Sequence, residues 1–327
     1  MNIGIWQPYK EVMSVSIYKK NVIEILQQQG HQIVYIRPDF KKIPKVDIIW
    51  DATCTGGKAP SYKLMFCKTP LVVTLHGAAN YVLPKELQIH QKNRSNVFNK
   101  IKNKILWMWY RYKVKAIITV SEYAKSEIVN VFNIKKEKIL PIYHGFDNTI
   151  FYSDKSGAER HTLLHVSAFQ PKKNIDNLLL AYDKVPLKER LPLIIVSKGY
   201  VPKVKIPQQC TLISNGCTPQ ELGEYYRNAR VFIFPSFHET FGIPLIEAMA
   251  SGCAIITSNS SSCAEVVGSA GVLVDPNDID ALSKAIQNLS INNEIDIYAQ
   301  QSLRRAKDFS WHKCAQAHEA VFLNAIS

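Results

Sequence analysis

The chain has 327 residues, 46% hydrophobic and 20% charged, a globular balance that excludes a disordered chain and, at ~100–200 residues per domain, predicts two domains. Lys and Arg number 40 against 27 Asp and Glu, a net charge of +13, which leaves nucleic acid, anionic lipid and anionic small molecules as the partner classes to weigh. No apolar run approaches the ~18 residues of a membrane span, Met1–Trp6 is not followed by the basic and apolar regions of a secretory signal, and seven cysteines without a C-x-x-C suggest neither a zinc site nor a disulfide framework, so a reducing cytosol fits best.

In the first half, β-rich runs at Asn2–Trp6, Gln32–Ile36, Val46–Trp50, Leu71–Leu75, Ala116–Val120 and Lys138–Ile142 alternate with helical periodicity at Val12–Gln29 and Ser121–Phe132. A polar, charged stretch at Phe151–His161 breaks the pattern and is the expected linker. Beyond it, strands are predicted at Leu163–Ser167, Leu193–Ser197, Thr211–Ile213, Val231–Phe234, Ala254–Thr257 and Val272–Val274. Helices fit Ile175–Lys184, Pro219–Asn228, Pro244–Ala250, Ile279–Leu289 and Ile295–Phe309. Near-continuous apolar strands alternating with helices indicate parallel sheets covered on both faces. The expected fold is α/β, two doubly wound Rossmann-like domains in tandem, facing each other across a cleft and binding ligand at the carboxyl ends of their strands.

From Lys85 to Lys115 there are nine basic residues (Lys85, Lys92, Arg94, Lys100, Lys102, Lys104, Arg111, Lys113 and Lys115) and one acid, Glu86. Phe98, Ile101, Ile105, Leu106, Trp107, Trp109 and Tyr110 are interleaved with them. A basic helix carrying Trp and Leu on one side suits an anionic bilayer surface, at roughly 1 kcal/mol per Lys or Arg. A solvated helix whose aromatics face the core is the plain alternative, and single-stranded nucleic acid the third. The two tryptophans favour the membrane surface, and nucleic acid is not expected as a partner.

The most informative run is F-P-S-F-H-E-T-F-G-I-P-L-I-E-A-M-A-S-G at Phe234–Gly252. Pro235 ends a buried strand and Pro244 fits the first position of a helix. Glu239 is then expected in the loop and Glu247 on the first helical turn. Gly242 admits close approach of a ligand, and the amides of Phe241, Gly242 and Ile243 point from a positive helix end, which suits an anion. Carboxylates flanking an anion site suit sugar and ribose hydroxyls, so the combination describes a nucleotide sugar. A favourable helix charge and a loop surface charge are the plain alternatives for the two glutamates. Farther upstream, Lys172 and Lys173 precede a helix whose start carries Asn174 and Asp176, an arrangement able to hold a diphosphate or simply a solvated pair.

The Glu239-x7-Glu247 run in this context resembles the signature of family 4 retaining glycosyltransferases, of the GT-B fold. Supporting matches are V-S-E-Y-A-K at Val120–Lys125, H-G-F-D at His144–Asp147, K-K-N at Lys172–Asn174, N-G-C-T-P-Q-E-L at Asn215–Leu222, S-S-S-C-A-E-V-V-G at Ser260–Gly268 and V-D-P at Val274–Pro276. The resemblance is nearly continuous in the second half and sparse in the first. It implies an acceptor-binding domain at 1–152, a nucleotide-sugar domain at 153–308, and a C-terminal helix at 309–327 packing back toward the first domain.

By the same resemblance, Glu239 contacts hydroxyls of the donor sugar, Glu247 the ribose, and Lys173 the diphosphate with the amides of Phe241, Gly242 and Ile243. Gly216 and Cys217 lie beside the base, and His76, in L-H-G-A-A after a strand, lies near the transferred sugar. A satisfied strand-end histidine is the plain alternative for His76. Ala168 stands where the family often has an arginine, with Lys172 as the candidate substitute, and Gln7–Ser16 lacks the glycine pair that often follows the first strand. Asp278-Ile279-Asp280 is the single D-x-D; following Pro276 and opening an amphipathic helix, it reads as a cap, and no metal is expected.

The expectation is therefore a metal-independent retaining hexosyltransferase, without a cofactor, on the inner face of the membrane. Its donor is a nucleoside diphosphate sugar, with UDP or GDP favoured. Its acceptor is a lipid-linked oligosaccharide or polysaccharide of bacterial surface-glycan assembly, lipopolysaccharide or capsule. The rivals are a nucleotide-sugar epimerase on the same fold and a non-catalytic membrane-bound subunit of a transferase complex.

Overall fold

A computed structural model describes residues 1–88, 95–154, 160–291 and 295–327. The chain divides into two compact units: unit 1 holds residues 1–83, 90–145 and 310–327, and unit 2 holds 84–89 and 146–309. The crossing between units falls after Gly145, ahead of the polar stretch taken as the linker, because Ile150 and Phe151 are held by unit 2. Arg227 donates to the Ile150 carbonyl (2.9 Å), and the buried Phe151 ring meets Tyr226 edge-on at 5.5 Å. Residues 155–159 of that stretch lie outside the described residues.

Unit 1 runs β1 (Asn2–Trp6), α1 (Met13–Gln28), β2 (Gln32–Ile36), β3 (Ile48–Cys54), β4 (Leu71–Leu75), α2 (Ala79–Val82), α3 (Ser95–Lys113), β5 (Ala116–Thr119), α4 (Glu122–Phe132) and β6 (Ile139–Pro141). Its parallel sheet has the order β2-β1-β3-β4-β5-β6, so the strand order reverses between β1 and β3. β3 begins later than predicted and extends to Cys54, because Asp51 and Cys54 pair with Val73 and Leu75 of β4. Every residue of β3, β4 and β5 is buried, as expected of strands covered on both faces.

Unit 2 follows with β7 (Thr162–Ala168), α5 (Ile175–Lys184), β8 (Leu193–Lys198), β9 (Cys210–Ile213), α6 (Pro219–Asn228), β10 (Ala229–Phe234), α7 (Ile243–Ala250), β11 (Ala254–Ser258), α8 (Ser261–Val267), β12 (Gly271–Val274), α9 (Ile279–Ile291) and α10 (Ile295–Ala306). Its order is β12-β11-β10-β7-β8-β9, all parallel, with the reversal between β7 and β10. Thr218 and Glu221 form a reciprocal capping box that starts α6, with Pro219 in its first turn.

The last helix, α11 (Trp311–Ile326), belongs to unit 1. Its Ala315, Phe322 and Ala325 share one core with Tyr18 and Leu26 of α1 and Trp50 of β3. A Cβ on Gly145 would lie 2.1 Å from the Trp311 nitrogen, so only glycine lets this helix start where it does.

The basic segment divides. Lys85 and Glu86 lie in a 3-10 turn of unit 2, Lys92 and Arg94 are outside the described residues, and Lys115 follows α3. Trp107 and Tyr110 of α3 are fully buried, and the Trp107 indole donates to the Gly57 carbonyl (3.2 Å). Val97, Phe98, Ile101, Ile105, Met108, Trp109 and Tyr112 are exposed. At 3.6 residues per turn those seven fall within about 120° of the helix circumference, with Lys100, Lys104 and Arg111 along one border and Lys102 and Lys113 along the other. No described helix is long and apolar enough to cross a membrane.

Candidate active site

The loops that follow β7 and β10 flank the reversal point of unit 2, where doubly wound sheets bind ligands. Pro171–Lys173 forms a single 3-10 turn, and Asn174 adopts a left-handed conformation (φ 61°) before α5, which Asn tolerates better than most residues. The Asn174 amide nitrogen donates to the carbonyls of Pro235 (3.0 Å) and Pro276 (2.7 Å). The Phe237 amide donates to the Lys172 carbonyl (2.8 Å). The two lysines are thereby fixed against the loop that carries Glu239.

Lys173 Nζ donates to Glu239 Oε1 at 2.6 Å, and Lys172 Nζ lies 3.5 Å from Oε2. Glu239 and Lys173 are both more than nine-tenths buried. Burial pushes the Glu239 carboxyl up, but the Lys172 and Lys173 ammoniums outweigh it and hold the group at about 2. The main chain of Glu239 is pinned as well. Its amide donates to Ser261 Oγ (3.1 Å), and its carbonyl accepts from Ser262 Oγ (3.0 Å). Lys173 Nζ also lies 4.8 Å from the centre of the Phe234 ring, a cation–π contact. His165 of β7 stacks on that ring at 5.8 Å. Its Nδ1 donates to the Ile233 carbonyl (2.8 Å), so its Nε2 accepts from Ser167 (2.9 Å). Burial lowers its pKa to about 4, so this ring adds no charge to the site at neutral pH.

Gly242 caps α7 with φ 95°, a left-handed conformation that favours glycine. The helix begins at Ile243, with Pro244 in its first turn, so Glu247 sits on the second turn and not the first as expected. Tyr226 Oη donates to Glu247 Oε2 (3.1 Å), with the Pro244 carbonyl at 3.4 Å. Burial raises the Glu247 carboxyl to about 7, the tyrosine bond acting in the opposite direction. The Phe241 side chain is buried edge-on to Phe309, which leaves its main chain at the head of α7. Gly216 and Cys217 lie between β9 and α6, Gly216 left-handed (φ 86°) beside the Lys198 side chain of β8. Ala168 ends β7 in register with the same Lys198. Asp278 accepts from the Ala281 amide (2.8 Å) at the start of α9, and Asp280 pairs with Lys184, so the D-x-D caps a helix and binds its neighbour.

His76 follows β4 in unit 1. Its Nε2 donates to the Ala52 carbonyl (3.0 Å), its ring meets Tyr18 edge-on (5.1 Å), and burial holds it at about 4, hence neutral. It belongs to a buried polar group in which Tyr18 joins His318 of α11 and Thr74 of β4, with the Trp50 indole donating to Thr74 (2.9 Å). After β1, where the glycine pair is missing, Lys19 of α1 ties the loop down by bonding Glu11 (2.7 Å) and Gln7 (3.1 Å).

The structure thus brings Lys172, Lys173 and Glu239 into direct contact, places Phe241, Gly242, Ile243 and Glu247 on the next turn of chain, and sets Gly216 and Cys217 on another loop of the same unit. Sequence reasoning missed Tyr226, Ser261, Ser262 and His165. The first three touch the two glutamates from 21 to 23 residues away; Ser261 and Ser262 fall in the S-S-S-C-A-E-V-V-G match, which carried no role for them, and no local pattern marks Tyr226.

Two six-stranded parallel sheets, the second with clustered lysines and a buried glutamate at its reversal point, have the architecture of a GT-B glycosyltransferase. Residues 148–306 match the family model described as glycosyl transferases group 1, and residues 33–149 match that of glycosyltransferase family 4. O-antigen chain mannosyltransferase B of Escherichia coli is 32% identical over 278 residues, covering 78% of this chain and 70% of the relative. Sucrose-phosphate synthase from Thermosynechococcus elongatus superposes with a TM-score of 0.74 at 18% identity, over 99% of this chain and 98% of that one. Anabaena HepE, solved in complex with UDP-glucose, superposes with a TM-score of 0.70 at 14% identity, over 98% of each chain. The chain belongs to glycosyltransferase family 4, and it is a glycosyltransferase.

Proposed function

We propose that this glycosyltransferase moves a sugar from a nucleoside diphosphate sugar to a lipid-linked glycan acceptor in surface-glycan assembly, with retention of anomeric configuration and without a metal. The observation that carries the reading is the Lys172–Lys173–Glu239 cluster at the reversal point of unit 2. Two ammoniums held by a buried carboxylate are pre-aligned for a diphosphate. As the diphosphate arrives it takes over hydrogen bonds from Lys173, and Glu239 turns an acceptor oxygen to the donor sugar. Glu247 accepts from the ribose, while the amides of Phe241, Gly242 and Ile243 add to the phosphate cradle. Gly216 and Cys217 flank the base, and His76 serves the transferred sugar. Catalysis is then positioning plus stabilisation of the leaving diphosphate, which receives the acceptor's proton on the same face. The E. coli relative's name favours a mannosyl donor and an O-antigen acceptor.

The exposed apolar stripe of α3, bordered on both sides by lysines, supports docking on an anionic bilayer, the surface that presents such an acceptor.

The test is thermal unfolding with UDP, GDP, ADP, CDP and dTDP. One of them at a hundred times its dissociation constant should stabilise the protein by about 2.7 kcal/mol, and Glu247→Ala should abolish the shift. No shift with any of the five would sink the donor site. With the matching donor sugar and no acceptor, an epimerised sugar identifies the rival epimerase. With acceptor, the anomeric configuration of the product and an EDTA control test retention and metal independence.

A further inference from the structure

Unit 1 has a reversal point of its own, between β1 and β3, and a cavity opens there. It has a volume of about 620 Å³, within the ~300–1,000 Å³ range of ligand sites. Its wall combines the ends of β1 and β3 (Trp6, Thr53), the loop after β3 from Thr55, and one side of α3. Four lysines line it: Lys58 and Lys63 from the loop, Lys100 and Lys102 from α3. No aspartate or glutamate lines it, and among the described residues none of the four lysines has an ion-pair partner. The acid of β3, Asp51, is buried outside the wall, with its Oδ1 accepting from the Thr53 amide (2.9 Å) and hydroxyl (2.7 Å).

Hydrogen bonds tie α3 to the neighbouring segments. Asn103 of α3 accepts from the Ala59 amide (2.9 Å), and Tyr81 donates to the Lys100 carbonyl (2.9 Å). Lys63 Nζ donates to the Pro38 carbonyl and Lys100 Nζ lies 5.8 Å from the centre of the Tyr81 ring, so the four cations are held around a wall that carries no carboxylate and give it a positive potential. An anion with several oxygens, such as a phosphate or diphosphate, suits that potential. The neighbouring face of the same helix adds the second half of the argument. Ile101 and Ile105, adjacent in sequence to cavity residues, belong to the exposed apolar stripe that runs on to Met108, Trp109 and Tyr112. A ligand with a phosphate group and a hydrocarbon chain fits both features at once.

We propose that the β1/β3 cavity of unit 1 binds the phosphate or diphosphate linkage of the lipid-linked acceptor, with Lys58, Lys63, Lys100 and Lys102 on its oxygens and the start of the lipid chain along the exposed stripe of α3. This deepens the functional reading above and rests on it. It assigns to unit 1 an anion site distinct from that of Lys172 and Lys173.

The experiment titrates the full-length protein with farnesyl diphosphate, farnesol and a soluble hexose 1-phosphate, following the melting temperature and the quenching of tryptophan emission. Lys58→Gln/Lys102→Gln removes two exposed lysines and should leave the fold unchanged, which an undiminished melting shift with the nucleoside diphosphate verifies. Farnesyl diphosphate should bind the parent protein, bind this variant at least about tenfold more weakly, and bind Lys173→Met as well as it binds the parent. The KM for the lipid-linked acceptor should rise in the double variant while the donor KM holds. Equal farnesyl diphosphate binding by parent and double variant overturns the proposal, as does binding lost in Lys173→Met, which would place the ligand in the donor site. Hexose 1-phosphate binding as tightly as the prenyl diphosphate overturns the lipid assignment. Absent prenyl diphosphate binding with an intact nucleoside diphosphate shift overturns this inference alone, whereas absence of both overturns the donor site as well.

Discussion

At the reversal point of unit 2, the two lysines share one buried carboxylate; at that of unit 1, four lysines line a cavity whose wall has none. The sheets are alike in strand number and parallel pairing, and differ in strand order, so the contrast lies in the loops. A paired site is pre-aligned, and its ligand must displace an internal partner. A site with no carboxylate on its wall keeps its positive potential available to a ligand. The first arrangement suits a small, chemically defined donor whose leaving group must be held in one geometry. The second suits a large acceptor held through charge and chain.

The largest effect that separates the two sites is expected at Lys173. Lys173→Met leaves a buried Glu239 with Lys172 alone, at 3.5 Å. Activity should fall by about 10²–10³, and the melting temperature should fall with it, because an uncompensated buried charge is costly. Lys173→Met/Glu239→Gln should restore the melting temperature and leave activity lost, which a double-mutant cycle reads directly. The pair also sets an acid limit. With Glu239 held at about 2 against an ordinary 4.5, its contribution is present above the ordinary range and is lost as the pH falls toward 2. If the single variant keeps its turnover, the pre-aligned site is not where chemistry occurs.

A smaller effect is expected on the unit 1 side. Ile105→Glu/Trp109→Glu changes two exposed positions, so the fold should hold. Partition onto vesicles containing anionic phospholipid should drop by at least about tenfold, since two apolar contacts are lost and two charges repel the surface. Turnover on a water-soluble acceptor analogue should stay near the parent value. Sedimentation of parent and variant with vesicles, at low and high salt, decides it; equal sedimentation removes the membrane face from the reading.

The sheets were legible because buried parallel strands read as unbroken apolar runs, and the predicted strands differ from the observed ones mainly at their ends. At the reversal point of unit 2, the placement of Glu239, Glu247, Lys172 and Lys173 in loop and helix was legible because strand, proline, glycine and helix fix their spacing locally. What escaped depends on contacts between distant segments. Tyr226 reaches Glu247 from another helix, and Tyr18, Thr74 and His318 meet from three elements. The unit 1 lysines come from a loop and a helix that only the fold brings together. The two tryptophans of α3 show a different failure. Taken together they indicated a membrane face, yet residues two apart on a helix point to nearly opposite sides. Trp107 is therefore core and Trp109 alone is exposed.

The smallest expected effect concerns pH at the proposed donor site. Burial raises Glu247 from 4.5 to about 7, so the carboxyl is largely protonated at pH 6 and ionised at pH 8. A ribose diol is held better by a carboxylate, which offers two acceptor oxygens, than by a neutral acid. Affinity for the intact nucleotide sugar, whose two phosphates do not titrate in this interval, should therefore rise several-fold from pH 6 to 8 and then level off. Glu247→Gln should flatten that profile at the weak, low-pH value. Folding stability runs the other way. A raised folded-state pKa means that the folded protein holds the proton more tightly, so this group's contribution is complete below 4.5 and is lost as the pH rises to about 7. Glu247→Gln should accordingly be at least as stable as the parent at pH 8 while binding donor less well. A variant that loses both stability and affinity at that pH would show the side chain to be a packing element of α7 and α6 instead of a ribose ligand.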